Sequence, residues 1–458
     1  MALLGIDIGS TAMKAAAFDE AGRQLGVARL EYRKPVQGAD DWWRSAVRAV
    51  RQLLKSHQGL APQVAAIGLS GRGGSRVFLD RGGRPVAVPQ GLIASPDSLQ
   101  RAVELSRSRR GGHGLRFLAS LLQLRSDYPR EFARVGRAMV AKDYLLFQLT
   151  GHAITDPASS LDIDRWPPSV SAAPELAHLS LSEVRWPWQE AGRLRAPVAA
   201  QLGLTAGIPV ATGAHDGAAA TVGAGGARNG AHSVTLGTNT VYRIMSGGEA
   251  GELSRFWTVL PGVIAYGADV TLGGYAVDWL LRMLSSTHER LAPDAAQVPP
   301  GSDGVVFLPQ MGGRILPEPS QAAAGAFAGI RRATRAGHLY RAVLEGNAFA
   351  LRAAREALLA QGLPEGDIYL TGGGTRSPLW RRILADTFAR PVRWSGVEDG
   401  CCGAAVFAGV AAGIWPDIRA AMTEMTAHSN HLDPGSDAPA YDAAYERYVR
   451  VRKALDHV

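Results

Sequence analysis

The chain of 458 residues holds two cysteines, and they are neighbours, Cys401 and Cys402. A disulfide framework and a four-cysteine zinc site are thereby excluded, and a reducing compartment fits. The two thiols read as small core residues. Lysine is nearly as scarce. Lys14, Lys34, Lys55, Lys142 and Lys453 are the only ones among 49 basic side chains, and the arginines are scattered among Ala and Gly. The net charge of +8 therefore lacks the clustering of a nucleic-acid surface. Its densest run, Arg107–Arg110, has no interleaved aromatics and reads as a solvated face. Long apolar runs are missing too: none reaches the roughly 18 residues needed to cross a bilayer. The opening Met1–Gly9 is too short for an export signal, carries no basic residue and is interrupted by Asp7. A cytoplasmic protein is expected, with neither nucleic acid nor membrane as partner.

What is present is ordinary globular composition. Forty-six per cent hydrophobic and 20% charged residues exclude global disorder, and the length allows two or three domains of roughly 100–200 residues. The run Leu3-Leu4-Gly5-Ile6-Asp7-Ile8 predicts a buried strand entering a Gly9-Ser10-Thr11 turn, with a second strand leaving through Phe18 and a third over Gln24–Tyr32. Apolar residues at Trp42, Trp43, Ala46, Val47, Val50, Leu53 and Leu54 predict a helix capped by Asp40 or Asp41. Val64–Ser70 is a further buried strand. The middle, about 95 to 205, reads as mostly helical, with Arg130–Leu149 its clearest helix. Ile208–Thr212 then predicts a strand delivering Gly213-Ala214-His215-Asp216-Gly217 into an Ala-rich helix. A domain boundary is expected near Asn229-Gly230.

The second half repeats the first in order of elements. Ser233–Leu236 leads into Gly237-Thr238-Asn239 and out through Val241-Tyr242. Asp367–Thr371 enters Gly372-Gly373-Gly374, and a helix follows over Pro378–Phe388. Strands followed by helices imply α/β layers.

Turns of this kind expose backbone N–H groups and short hydroxyls, and glycine lets phosphate oxygens approach the chain. Taken singly, either turn is more often just a turn; two such turns and a Gly-Gly-Gly junction together point to a nucleotide. Neither a Rossmann Gly-x-Gly-x-x-Gly nor a Walker motif occurs. Asp7 could serve the Mg²⁺ of ATP or merely shape its hairpin as an Asx-turn. Asp216 could cap a helix or take the proton of a substrate hydroxyl, with His215 its hydrogen-bonding neighbour.

In this order the motifs resemble those of the FGGY carbohydrate kinases, of the actin/hexokinase/Hsp70 ATPase superfamily, and within it the xylulokinases. Asp7-Ile8-Gly9-Ser10-Thr11 with Lys14 resembles the first phosphate motif, and Lys142-Asp143-Tyr144-Leu145 with Thr150-Gly151 the family's Lys-Asp-Tyr-Leu helix and Thr-Gly turn. Gly213–Gly217 resembles the segment bearing the catalytic Asp, and Leu236-Gly237-Thr238 the second phosphate motif. Phe307-Leu308-Pro309, Gly325–Ile330 and Arg341–Gly346 are similar to the approach and start of the long C-terminal helix, and Gly372–Ser377 with Trp380 to the adenosine motif. The departures fall on the sugar side. Gly71-Arg72-Gly73-Gly74-Ser75 stands for Gly-Gln-Met-His-Gly, Pro89–Ile93 for Trp-Asn-Asp-Gly-Arg, and Gly313–Pro317 for Gly-Glu-Arg-Thr-Pro; Gly217 follows Asp216 where Asn or Gln is usual. Since mismatched buried polar groups discriminate strongly among polyols, an altered acceptor is implied.

The resemblance implies two α/β lobes of actin/hexokinase-like (ribonuclease H-like) type flanking a nucleotide cleft. Residues 1–230 would hold the first phosphate turn, the sugar site and the catalytic Asp216; residues 231–458 would hold the second phosphate turn and the adenosine site. It implies ATP- and Mg²⁺-dependent phosphorylation of a small sugar or polyol, a pentulose such as D-xylulose first. ATP would be bound by Gly9, Ser10, Thr11, Lys14, Gly237, Thr238, Asn239, Gly329, Gly372, Gly373, Gly374 and Ser377, with Mg²⁺ at Asp7. The acceptor would meet Gly73, Gly74, His215 and Asp216. An actin- or Hsp70-like ATPase switch and a degenerate kinase acting as regulator remain open at this point. The partners expected are the sugar or polyol and, for assembly, a second copy of the chain.

Overall fold

The computed structural model describes residues 1–32, 38–73, 76–88, 94–106, 113–159, 173–248 and 255–455. Gly74, Ser75, the segment 89–93 and Arg107–Arg110 lie outside the described residues. Two compact units form: Met1–Gly223 with Val397–His428, and Ala224–Gly396 with Ser429–Val458.

In the first unit, β1 (Ala2–Ile8), β2 (Ala12–Phe18), β3 (Gln24–Glu31) and β4 (Val64–Gly71) lie in one sheet in the order β3-β2-β1-β4. β1 pairs antiparallel with β2 and parallel with β4. The strand Pro209–Ala211 extends the sheet beside β4, and Glu190–Arg193 closes it. All of β1 is buried, because alternate residues serve opposite covered faces. Leu4, Ile6 and Ile8 join the cluster formed with Trp42, Ala46 and Val50 of the helix Ala39–Ser56. Leu3 and Gly5 lie on the other face, against the helix Asp399–Ala411. A Cβ on Gly5 would sit 2.0 Å from the Cys401 carbonyl oxygen, and one on Gly68 1.8 Å from that of Ala404. That helix therefore rests directly on the backbone of β1 and β4. Both cysteines are buried in it and unbridged.

The second unit repeats the pairing pattern. His232–Leu236 pairs antiparallel with Thr240–Ser246, which pairs antiparallel with Val263–Thr271. His232–Leu236 also pairs parallel with Ile368–Thr371, which pairs parallel with Val392–Trp394. The helix Ala336–Ala360 supplies much of the core, from Tyr340 to Leu358. It begins five residues ahead of the expected Arg341.

Two local expectations fail. The helix expected over 130–149 is broken into a helix Pro129–Arg134, a strand Arg137–Val140 and a helix Ala141–Thr150. Arg137–Val140 pairs antiparallel with Arg76–Leu79, and the Gly136 N–H donates to the Leu79 carbonyl at 2.8 Å. A short apolar run is ambiguous between helix and strand, and here a distant partner decided. Likewise Asp40 and Asp41 do not cap their helix, which starts at Ala39 with Gly38 at the cap. Both carboxylates sit in the first turn, where the helix dipole favours them, and Asp41 pairs with Arg44 at 2.6 Å.

Candidate active site

Three strand ends meet in the first unit. β1 and β4 are parallel, with Asp7 opposite Ser70 and Ile8 opposite Gly71. The short strand Ala214–His215 pairs parallel with the same end of β4, Ala214 opposite Ser70 and His215 opposite Gly71. Parallel strands put their carboxyl ends on one edge, where open α/β sheets present their crevice. Asp7, Ser70 and the His215-Asp216 pair thus converge from three distant parts of the chain.

Asp7 is 5% exposed. One carboxylate oxygen accepts from the Ser70 hydroxyl at 2.7 Å, and the other lies 3.5 Å from Lys14 Nζ. The turn itself is closed by main chain, Gly9 N–H to the Ala12 carbonyl at 3.0 Å; the Asx-turn reading of Asp7 does not hold. Burial raises the Asp7 pKa, Lys14 and Ser70 offset part of that rise, and the charges of Asp216 and Glu398 add to it. For Lys14 burial acts the other way, lowering its pKa, but Asp7 and Glu398 outweigh it and keep the ammonium charged. Lys14 spans the two carboxylates, with Glu398 at 2.9 Å. Gly400, in the first turn of the helix Asp399–Ala411, completes the setting: a Cβ there would lie 2.9 Å from the Asp7 carboxyl carbon.

Asp216 is the first residue of the helix Asp216–Gly223. Its side chain is 39% exposed. The Gly217 N–H donates to Asp216 Oδ1 at 2.7 Å, and His215 Nδ1 lies 3.0 Å from the same oxygen. Gly73 touches the imidazole, since a Cβ there would fall 2.4 Å from His215 Cδ2. Asp7, Lys14, Gly73, His215 and Asp216 are therefore one neighbourhood.

In the second unit, strand His232–Leu236 ends in the Gly237-Thr238-Asn239 turn, closed by the Gly237 N–H on the Asn239 carbonyl at 3.1 Å. The N–H groups of Gly274 and Tyr275, opening the helix Gly273–Met283, donate to the carbonyls of Gly237 and Thr238 at 3.0 and 3.1 Å. The neighbouring parallel strand Ile368–Thr371 ends in Gly372, held at φ +86°, a conformation open to glycine at little cost. Cβ atoms on Gly372 and Gly374 would come within 2.9 Å of the Leu236 oxygen and 2.7 Å of the Leu236 Cβ. The Gly237–Asn239 and Gly372–Gly374 turns are thus side by side. Ser377 caps the helix Pro378–Phe388, accepting from the Trp380 N–H at 3.2 Å. Gly329 packs against another segment: at φ +78°, a Cβ there would lie 2.2 Å from the Gly304 oxygen.

Three contributors escaped the sequence reading. Ser70 is an ordinary strand-terminal serine by pattern, and Glu398 and Gly400 lie almost 400 residues from Asp7. Only the packing of the helix Asp399–Ala411 on β1 brings them in.

Each of the two α/β units thus presents Gly-rich turns at its strand ends, and the first carries Asp7 and Asp216 there. The N-terminal domain model of the FGGY family of carbohydrate kinases matches residues 2–223, and the C-terminal domain model matches 233–412; the chain belongs to this family. The chain is 27% identical to the xylulose kinase of Escherichia coli K12, covering 99% of each. It is 28% identical to the erythritol kinase of Brucella abortus, covering 99% of this chain and 96% of that one. The crystal structure of xylulose kinase from Rhodospirillum rubrum superposes with a TM-score of 0.80 at 25% identity over all of both chains. Among the described residues no helix is long and apolar enough to cross a membrane.

Proposed function

We propose that the chain transfers the γ-phosphoryl group of ATP to a hydroxyl of a small polyol or ketose, a pentulose such as D-xylulose being the first candidate. The observation that carries this is the convergence of Asp216, half-exposed and helix-initiating, with buried Asp7 at one edge of the sheet. Similarity to a xylulose kinase and an erythritol kinase supports the acceptor class.

In this reading Asp216 accepts the proton as the substrate hydroxyl attacks phosphorus, a contribution of about 10²–10⁴ in rate. The Gly217 N–H, shared between Asp216 Oδ1 at 2.7 Å and His215 Nδ1 at 3.1 Å, ties the carboxylate to the imidazole, and acceptor hydroxyls meet Gly73 and His215. The turns Gly9–Thr11 and Gly237–Asn239 offer main-chain N–H groups and hydroxyls to the phosphates, Lys14 adds charge, and Gly372–Gly374 with Ser377 and Gly329 receive adenosine. Asp7 fits Mg²⁺ by the chemistry of its donor: a hard carboxylate, with the charges of Asp216 and Glu398 close enough to act on it. Among the described residues no group of three ligating side chains could hold a metal alone, so the ion would keep waters and phosphate oxygens as its other ligands. Bound there it would neutralise charge on the transferred group. Homodimerisation and a cytoplasmic location complete the proposal.

The test is ADP release against a panel of ketoses, polyols and sugar acids. At least one acceptor is expected to stimulate it tenfold or more. A flat response across the panel would refute the reading.

A further inference from the structure

The helix Ala141–Thr150 buries a lysine completely. Lys142 Nζ is 0% exposed and lies 2.7 Å from Asp143 Oδ1 and 3.1 Å from Asp156 Oδ1. Burial alone would lower its pKa, but the two carboxylates outweigh that and keep it charged. A buried ion cluster costs desolvation and is weak evidence of added stability. This one has a further bond: the ammonium donates to the Thr212 carbonyl at 2.9 Å.

Thr212 stands at the head of the segment that delivers Asp216. The peptide joining Thr212 to Gly213 is gripped at both ends, its oxygen by Lys142 and its N–H by the Pro187 carbonyl at 2.9 Å. Gly213 follows at φ +74°, and a Cβ there would lie 2.3 Å from the Leu69 oxygen. The chain then runs straight into Ala214–His215, paired on Ser70 and Gly71. The Lys142 stem reaches that pairing too: a Cβ on Gly71 would sit 3.0 Å from the Lys142 Cβ. One side chain thus contacts both Gly71, the residue that pairs with His215, and the peptide plane that leads into it.

We infer that Lys142 is a positioning residue for phosphoryl transfer, orienting the Thr212–Gly213 peptide and through it the Asp216 carboxylate, while Asp143 and Asp156 hold its ammonium in place. The inference rests on the proposed role of Asp216. Small misplacement of a reacting group costs on the order of 10²-fold in rate, so the loss falls on kcat and not on nucleotide binding.

The experiment uses the full chain with its best acceptor from the panel. Lys142→Met leaves two buried carboxylates unpaired and lowers the melting temperature. The triple variant Lys142→Met, Asp143→Asn, Asp156→Asn removes the stranded charge and is expected to recover it. If Lys142 positions Asp216, the triple variant stays at least 30-fold down in kcat with the KM for ATP within threefold of wild type. Hydrogen exchange in the segment 209–217, followed by mass spectrometry in both variants and in wild type, is expected to quicken tenfold or more. Recovery of kcat to within threefold, a KM for ATP that rises in step with the loss, or unchanged exchange in that segment would each overturn the inference. Asp216→Asn, run alongside, separates the two readings: if it retains activity within threefold, the base assignment itself fails.

Discussion

Gly400→Ala is a sharp probe of the buried carboxylate. The added methyl carbon would lie 2.9 Å from the Asp7 carboxyl carbon and 3.0 Å from each of its oxygens, some tenths of an ångström inside ordinary contact. Position 400 is helical, where alanine is favoured over glycine by up to about 1 kcal/mol, so the helix itself gains. Relief must come from Asp7, whose side chain can swing only by breaking its 2.7 Å bond from Ser70 or its contact with Lys14. A buried hydrogen bond to a charged group is worth about 1.5–3 kcal/mol. With about 1.4 kcal/mol per tenfold, the displacement is expected to lower kcat/KM for MgATP by roughly 10- to 100-fold. The melting temperature should stay within a few degrees of wild type. Steady-state kinetics over a Mg²⁺ titration, paired with a thermal melt, measures both. Activity within threefold of wild type at every Mg²⁺ concentration would show that the Asp7 position does not matter to the reaction.

Asp216→Ala should reduce acceptor phosphorylation by at least 10², read as coupled ADP release; a loss smaller than threefold would refute the base assignment. His232 offers a pH prediction. It is buried between the Tyr242 hydroxyl, 2.8 Å from Nδ1, and the Pro364 carbonyl, 3.0 Å from Nε2, and burial pushes its pKa down to about 4. A depressed histidine gives its stability in full above the unfolded pKa of about 6.5 and loses it as pH falls toward 4, on the order of 3 kcal/mol in all. Urea titrations of wild type and His232→Gln should therefore differ in pH slope across pH 4–6.5, and parallel slopes would count against it. Gly68→Ala should force β4 and the helix Asp399–Ala411 apart, since its Cβ would fall 1.8 Å from the Ala404 oxygen. A cost of about 1–3 kcal/mol or more is expected in chemical denaturation.

Much of the site is legible in one dimension where its residues are local. The hairpin carrying Asp7, the strand-to-helix junction carrying Asp216, and both glycine turns of the second unit are short motifs in which residue type and spacing prescribe the backbone. The helix Pro378–Phe388 has the bounds its sequence predicts, because Ser377 and Pro378 signal its start. Legibility fails where a distant partner chooses among local options. Ala138, Met139 and Val140 fit a helix until Arg76–Leu79 pairs with them.

The charges follow the same rule. Asp7 and Asp216 are plain in the sequence as acids beside turns, yet nothing local says they share an edge, or that Ser70, Lys14, Glu398 and Gly400 surround Asp7. Nor does the scarcity of lysine say where the few ammonium groups go. Two of the five answer to the tertiary structure: Lys14 bridges carboxylates from opposite ends of the chain, and Lys142 is buried whole against Gly71, the residue that pairs with His215. The sequence by itself determined the turns, their order and the family they define, because backbone conformation depends on neighbours in the chain. Only the tertiary structure decided the electrostatics, because burial and Coulomb interaction depend on distance in space.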